Sequence, residues 1–131
     1  MIVAYKTLAG SGGERPILDV LIGTAALRVQ ALVDSGATRT LFHQTVAEAA
    51  GVDLSEAEER ELLLGPGRPP VPARFETVLL DAGGLQWEAE VGFCEDAPQD
   101  WGLLGGAGFF RFFTVTFRYY DSEFEIEPVA S

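Results

Sequence analysis

The stretch that most restricts this chain runs from Leu27 to Phe42. An alternating segment, Leu27-Arg28-Val29-Gln30-Ala31-Leu32-Val33, ends on an acid, Asp34, followed at once by Ser35 and Gly36. The alternation predicts a half-buried β-strand, and Asp34 falls where that strand must end in a tight loop. Apolar residues resume at Leu41-Phe42, so the acid is enclosed by segments that hydrophobicity sends inward. A carboxylate there is costly unless it is hydrogen-bonded or shares its charge. These residues alone leave two readings open. Asp-Ser-Gly is an ordinary turn, with Asp and Ser bonding nearby backbone and Gly supplying positive φ, or it is a site whose chemistry needs the acid.

The wider run Ala31-Leu32-Val33-Asp34-Ser35-Gly36-Ala37-Thr38-Arg39-Thr40-Leu41 resembles the D-[ST]-G-[AS] signature of aspartic proteases, specifically the small retroviral-type (retropepsin) group. A second block, Leu103-Leu104-Gly105-Gly106-Ala107-Gly108-Phe109-Phe110 followed by Phe113-Thr114-Val115-Thr116-Phe117, is similar to the family's hydrophobic-hydrophobic-Gly element with its helix and strand. The resemblance covers about Pro16 to Pro128. It implies an all-β, single-lobe closed barrel with one or two short helices, acting as an aspartic endopeptidase on a protein or peptide substrate. In that reading Asp34 is half of a catalytic pair. No other acid has the Asp-Ser-Gly setting, so the second half is expected to be Asp34 of another copy in a homodimer. The resemblance further implies that the Ser35 hydroxyl braces the paired loops and that Gly36 turns the loop and exposes its carbonyl. Ala37 and Leu104 are then expected to line apolar pockets, with Thr38 and Gly105 completing the substrate-binding loops. Gly65, Pro66 and Gly67 fall where the family carries a flap that closes over bound peptide. Family members often carry Arg or Asp after the second element, where this chain has Gly106-Ala107. Support for the loop is then expected from elsewhere, with Arg39 and Arg111 as candidates. The alternative function is a catalytically inactive dimerisation or peptide-binding module of the same fold.

Patterning along the rest of the chain predicts short strands with little helix, hence a barrel or sandwich. Ile2 to Leu8 reads as a strand ended by Gly10-Ser11-Gly12-Gly13. A phosphate-binding loop would require Lys-Ser/Thr after these glycines, and Glu14-Arg15 follow. Pro16 opens a strand from Ile17 to Ile22 that pairs with Leu27–Val33 as a hairpin. A short helix is expected over Gln44 to Ala50, with Val46, Ala49 and Ala50 on its apolar face, His43 as a cap or surface residue and Gly51 as its stop. Ser55-Glu56-Ala57-Glu58 has capping-box spacing and predicts a second helical turn before Leu62. Gly65-Pro66-Gly67-Arg68-Pro69-Pro70-Val71-Pro72 is too rich in Pro and Gly for a central strand and reads as a hairpin tip. Phe75 to Leu80 and Leu85 to Phe93 are strands, the second with a buried stripe of Leu85, Trp87, Ala89, Val91 and Phe93. Gly105 to Gly108 is no dinucleotide fingerprint, since the third glycine of that spacing would fall at Arg111. Phe113–Phe117 and Phe124–Glu127 close the chain as strands.

At 131 residues the chain is expected to be a single domain. Its 20 acidic against 9 basic residues give a net charge of -11, which argues against nucleic acid or an anionic membrane as partner. The single cysteine, Cys94, cannot form an internal disulfide and reads as a small buried hydrophobe. No metal or cofactor is expected. The amino terminus lacks the basic segment and apolar core of a signal peptide, so a cytoplasmic location is expected.

Overall fold

A computed structural model describes residues 1–8 and 12–129. Its strands in chain order are β1 (Ile2–Ala4), β2 (Lys6–Thr7), β3 (Glu14–Arg15), β4 (Ile17–Ile22), β5 (Leu27–Val33), β6 (Leu41–His43), β7 (Glu58–Leu62), β8 (Val71–Ala82), β9 (Leu85–Cys94), β10 (Gly102–Leu104), β11 (Phe113–Arg118) and β12 (Glu123–Pro128). One helix, α1 (Gln44–Ala49), follows β6, and a 3₁₀ turn, Tyr119–Asp121, separates the last two strands. No helix among the described residues is long and apolar enough to cross a membrane.

The main sheet runs β4-β5-β10-β6-β9-β8, and pairing of β4 with β8 through Leu21↔Asp81 and Ile22↔Leu80 closes it into a six-stranded barrel. The long β8 therefore does two jobs. Its second half closes the barrel, while its first half runs beyond the wall and pairs with β7 as a projecting hairpin. The barrel interior is filled by Val20, Ile22, Phe42, Leu80, Val91, Phe93 and Leu104, all essentially inaccessible to water. Trp87, Ala89, Val91 and Phe93 are buried as the alternation of β9 predicts, with Leu85 half-buried. Trp87 meets Phe113 edge-on at 4.8 Å and donates its Nε1–H to the Gly108 carbonyl at 2.8 Å. That indole ties the wall to the loop after β10.

A second, three-stranded sheet, β1-β12-β11, holds both ends of the described chain together. Phe124 and Ile126 of β12 are fully buried against the barrel core.

Several expectations are corrected. The first strand is broken at Tyr5, whose N–H goes to the Ser122 carbonyl, so that β1 joins β12 and β2 joins β3. Of the glycine turn that follows, Gly10 and Ser11 lie outside the described residues. The buried helix positions are Val46, Ala47 and Ala50, with Ala49 exposed. The capping-box segment is no helix. Asp53 accepts the Ser55 N–H in a turn, and Glu58 onward is drawn into β7 by pairing with β8. The segment after Gly105 is a series of turns, because Gly108 sits at φ 101°, a left-handed value that interrupts a helix. One expectation there holds: His43 is the cap of α1, its Nδ1 accepting the Thr45 N–H at 3.2 Å.

Candidate active site

β10 is inserted between β5 and β6, the two strands that flank Asp34. It runs parallel to β5, with Leu104 opposite Val33, so the loop 34–40 must straddle the end of β10. The sequence folds this way because both flanks of the acid are apolar strands, and Gly102-Leu103-Leu104 is a neutral, apolar strand that pairs with both. The two loops are then clasped by backbone. Asp34 N–H donates to the Leu104 carbonyl at 3.0 Å, Gly106 N–H to Ala37 at 2.9 Å and Ala107 N–H to Thr38 at 2.9 Å. Gly105 N–H donates to the Oγ1 of Thr40, a buried residue, at 3.1 Å. A Cβ at Gly105 would stand 2.3 Å from the Arg39 carbonyl oxygen and 2.6 Å from that of Ala37. Only glycine lets the loops approach so closely.

Asp34 is half-buried, while Ser35 and Gly36 are exposed. Its Oδ1 accepts the Gly36 N–H at 2.9 Å, and its carbonyl accepts the Ala37 N–H at 3.1 Å. The Asp34 bonds of the expected turn are thus present, although Gly36 does not take the positive φ expected of it, and the turn holds the carboxylate toward an open cavity of about 590 Å³. Asp34, Gly36, Ala37, Thr38 and Arg39 form one side of this cavity, Leu41 and Leu103 its base, and Glu61 to Gly65 of the β7–β8 hairpin the opposite wall.

The structure sorts the sequence candidates by position. Asp34, Gly36, Ala37, Thr38 and Gly65 border the cavity. Ser35 instead faces a neighbouring groove with Ala37, Gly106, Phe110 and Arg111. Gly105 is buried beneath the loops. Leu104 is a correction: it is fully buried in the barrel, and Leu103, pointing the other way from the strand, is the leucine that reaches the cavity. Pro66 and Gly67 sit at the hairpin tip beyond the cavity. There Arg68 N–H bonds the Gly65 carbonyl at 3.3 Å and Gly67 has φ 72°, a type II turn with Pro in its preferred place. Sequence reading missed Leu41, Leu62, Leu64 and Leu103 as cavity residues. Parity along β7 and β10 was the available signal, but runs of consecutive leucines conceal it.

Neither arginine braces the second loop. Arg39 lies 3.6 Å from Glu90 and 5.5 Å from the centre of the Phe75 ring, and the Arg60 guanidinium lies 4.4 Å from that ring. Arg60 also pairs with Glu58 at 3.0 Å and Glu90 at 2.9 Å. The Arg60 hydrogen bond holds the Glu58 carboxyl below the usual carboxylate range. This network ties the hairpin's base to β9 and to the Asp34 loop. Arg111 is exposed with no side-chain partner among the described residues. The clasp is therefore backbone and glycine, which explains how Gly106-Ala107 is tolerated.

A protein-family model described as aspartyl protease matches residues 19–107, which span Asp34, both loops and the hairpin. Among solved structures, the chain is similar to the crystal structure of a retropepsin-like aspartic protease from Rickettsia conorii. The TM-score is 0.67 and the identity 18%, over 96% of this chain and 88% of that one. No curated protein matches the sequence.

Proposed function

This chain belongs to the aspartyl protease family, and from that premise we propose that it is an aspartic endopeptidase whose active unit is a symmetric homodimer with two copies of Asp34 meeting on the two-fold axis. The observation that carries the proposal is the placement of Asp34. A loop held by strand insertion presents its carboxylate to a cavity walled by a projecting hairpin. Each protomer supplies one Asp-Ser-Gly loop, and the reaction needs two carboxylates.

Two such groups in contact hold one proton between them, because both cannot ionise cheaply side by side. The ionised member takes a proton from a water molecule as its oxygen attacks the peptide carbonyl carbon, and the neutral member gives its proton to the carbonyl oxygen. Collapse of the tetrahedral intermediate breaks the C–N bond, and a carboxyl proton passes to the leaving amine. Leu41, Leu62, Leu64 and Leu103 offer an apolar subsite for a substrate side chain next to the scissile bond, and the β7–β8 hairpin serves as the flap. In this reading Ser35, which lies outside the cavity, braces the partner loop.

The test is digestion of a diverse peptide library by native protein and by Asp34→Asn. The amide is nearly isosteric but cannot act as base or share the proton, so cleavage should disappear while circular dichroism is unchanged. Undiminished cleavage by the variant would refute the assignment.

A further inference from the structure

The cavity that receives Asp34 holds one cation among its described lining residues, Arg39. The Arg39 backbone is fixed on both sides. It forms a parallel bridge with Ala107, its carbonyl crowds Gly105, and the next residue, Thr40, is buried beneath the loops. The guanidinium stands over the buried Phe75 ring, 5.5 Å from its centre. A guanidinium held over a ring face keeps its N–H donors at its rim, where a ligand can reach them.

Those donors are not used up. Arg39 pairs with Glu90 at 3.6 Å, outside hydrogen-bond reach, and the second oxygen of Glu90 already accepts from Arg60 at 2.9 Å. A half-buried guanidinium with unfilled donors is suited to a carboxylate brought by a ligand, which it can hold by two parallel bonds. The other charges of the cavity do not compete for this role. Asp34 belongs to the reacting pair. On β7, Arg60 and Leu62 are half-buried and the Arg60 guanidinium lies on the Phe75 ring, so strand alternation sends the exposed Glu61 side chain to the opposite face with Glu59. Beside Arg39 the cavity is apolar, lined by Leu41, Leu62, Leu64 and Leu103.

We propose that Arg39 is a specificity-determining residue that selects peptides carrying Glu or Asp close to an apolar residue at the scissile bond. The inference rests on the endopeptidase reading above and deepens it by naming the substrate class. A two-fold axis supplies an Arg39 on each side of the bond, so the acid is accepted on either side. The sign of the preference is diagnostic, because a net charge of -11 taken alone attracts basic peptides and repels acidic ones. The pair with Arg39 is made before and during reaction alike, so it is read in KM rather than in kcat.

The experiment is a digest of a diverse peptide library by the native protein, followed by kinetics on cleaved sequences resynthesised with Glu, Gln or Lys at each position flanking the scissile bond. At one or more of these positions Glu should exceed Gln by about tenfold in kcat/KM, with Lys the poorest. Arg39→Gln should bring the Glu-to-Gln ratio toward one, and Arg39→Glu should invert the order in favour of Lys. Glu90→Gln, which removes the carboxylate paired with Arg39, should raise the ratio. Cleavage with no preference for Glu over Gln at any position would overturn the role of Arg39 and leave the endopeptidase standing. So would a Glu preference that Arg39→Gln and Glu90→Gln both leave unchanged. Absence of cleavage by the native protein would overturn both readings.

Discussion

The floor and the wall of the cavity are built on opposite plans. On the floor, the Asp34 loop and the loop after β10 are locked by reciprocal backbone hydrogen bonds, by the Thr40 hydroxyl and by a glycine with no room for a methyl group. On the wall, the β7–β8 hairpin projects beyond the barrel, anchored at its base by the Arg60 ion pairs and by Leu62, Leu64 and Val71 packed on Leu41, Ala73 and Phe75, and finished by a Gly-Pro-Gly-Arg turn. A Cβ at Gly67 would meet nothing within 4 Å. The difference assigns rigidity to the proposed catalytic acid and freedom to the element past which a peptide must enter.

The sharpest way to break this contrast is Gly105→Ala. The added methyl collides with two backbone carbonyls that cannot rotate aside, so a loss of about 3 kcal/mol of stability is expected, read from denaturant unfolding. Thr40→Val follows. It keeps the shape but leaves the Gly105 N–H without its buried acceptor, at a cost of about 2 kcal/mol. Gly67→Ala should cost about 1 kcal/mol, since its φ of 72° penalises a side chain while the space around it is open. If the hairpin is a lid, this variant loses turnover out of proportion to stability. Kinetics and unfolding that move together would return it to an ordinary surface loop.

The smallest effect concerns pH. Glu58 is held below its ordinary value of 4.5 by the Arg60 hydrogen bond, so its contribution to stability is present above that value and lost as pH falls through the lower folded value. On acidification, amide exchange should rise in the hairpin more than at Gly105, Gly106 and Ala107. A uniform rise would contradict the division of the site into a fixed and a free half.

Much of this was legible because period-2 alternation is strong where one face is buried. Leu27–Val33 and Leu85–Phe93 declared themselves as strands, and the acid at the end of the first located the site. Local signals failed where tertiary pairing outweighed them. Ser55 to Glu58 has good capping chemistry, yet β8 recruits Glu58 as a strand. The consecutive leucines 62–64 and 103–104 carry no parity, so the sequence could not tell that Leu103 faces the cavity and Leu104 the core. Insertion of β10 between β5 and β6 is a non-local event with no trace in either segment alone. It also replaces the polar brace that the family resemblance suggests after the second element.

The central claim, one active site shared by two chains, is tested most directly by mixing. Native and Asp34→Asn chains are unfolded together in equal amounts and refolded, with exchange between them confirmed by mass spectrometry. Random pairing leaves about a quarter of the dimers with both aspartates, and activity per native chain should fall to about half that of native protein refolded alone. Full retention of activity per native chain would show that each chain is sufficient by itself and would contradict the shared site.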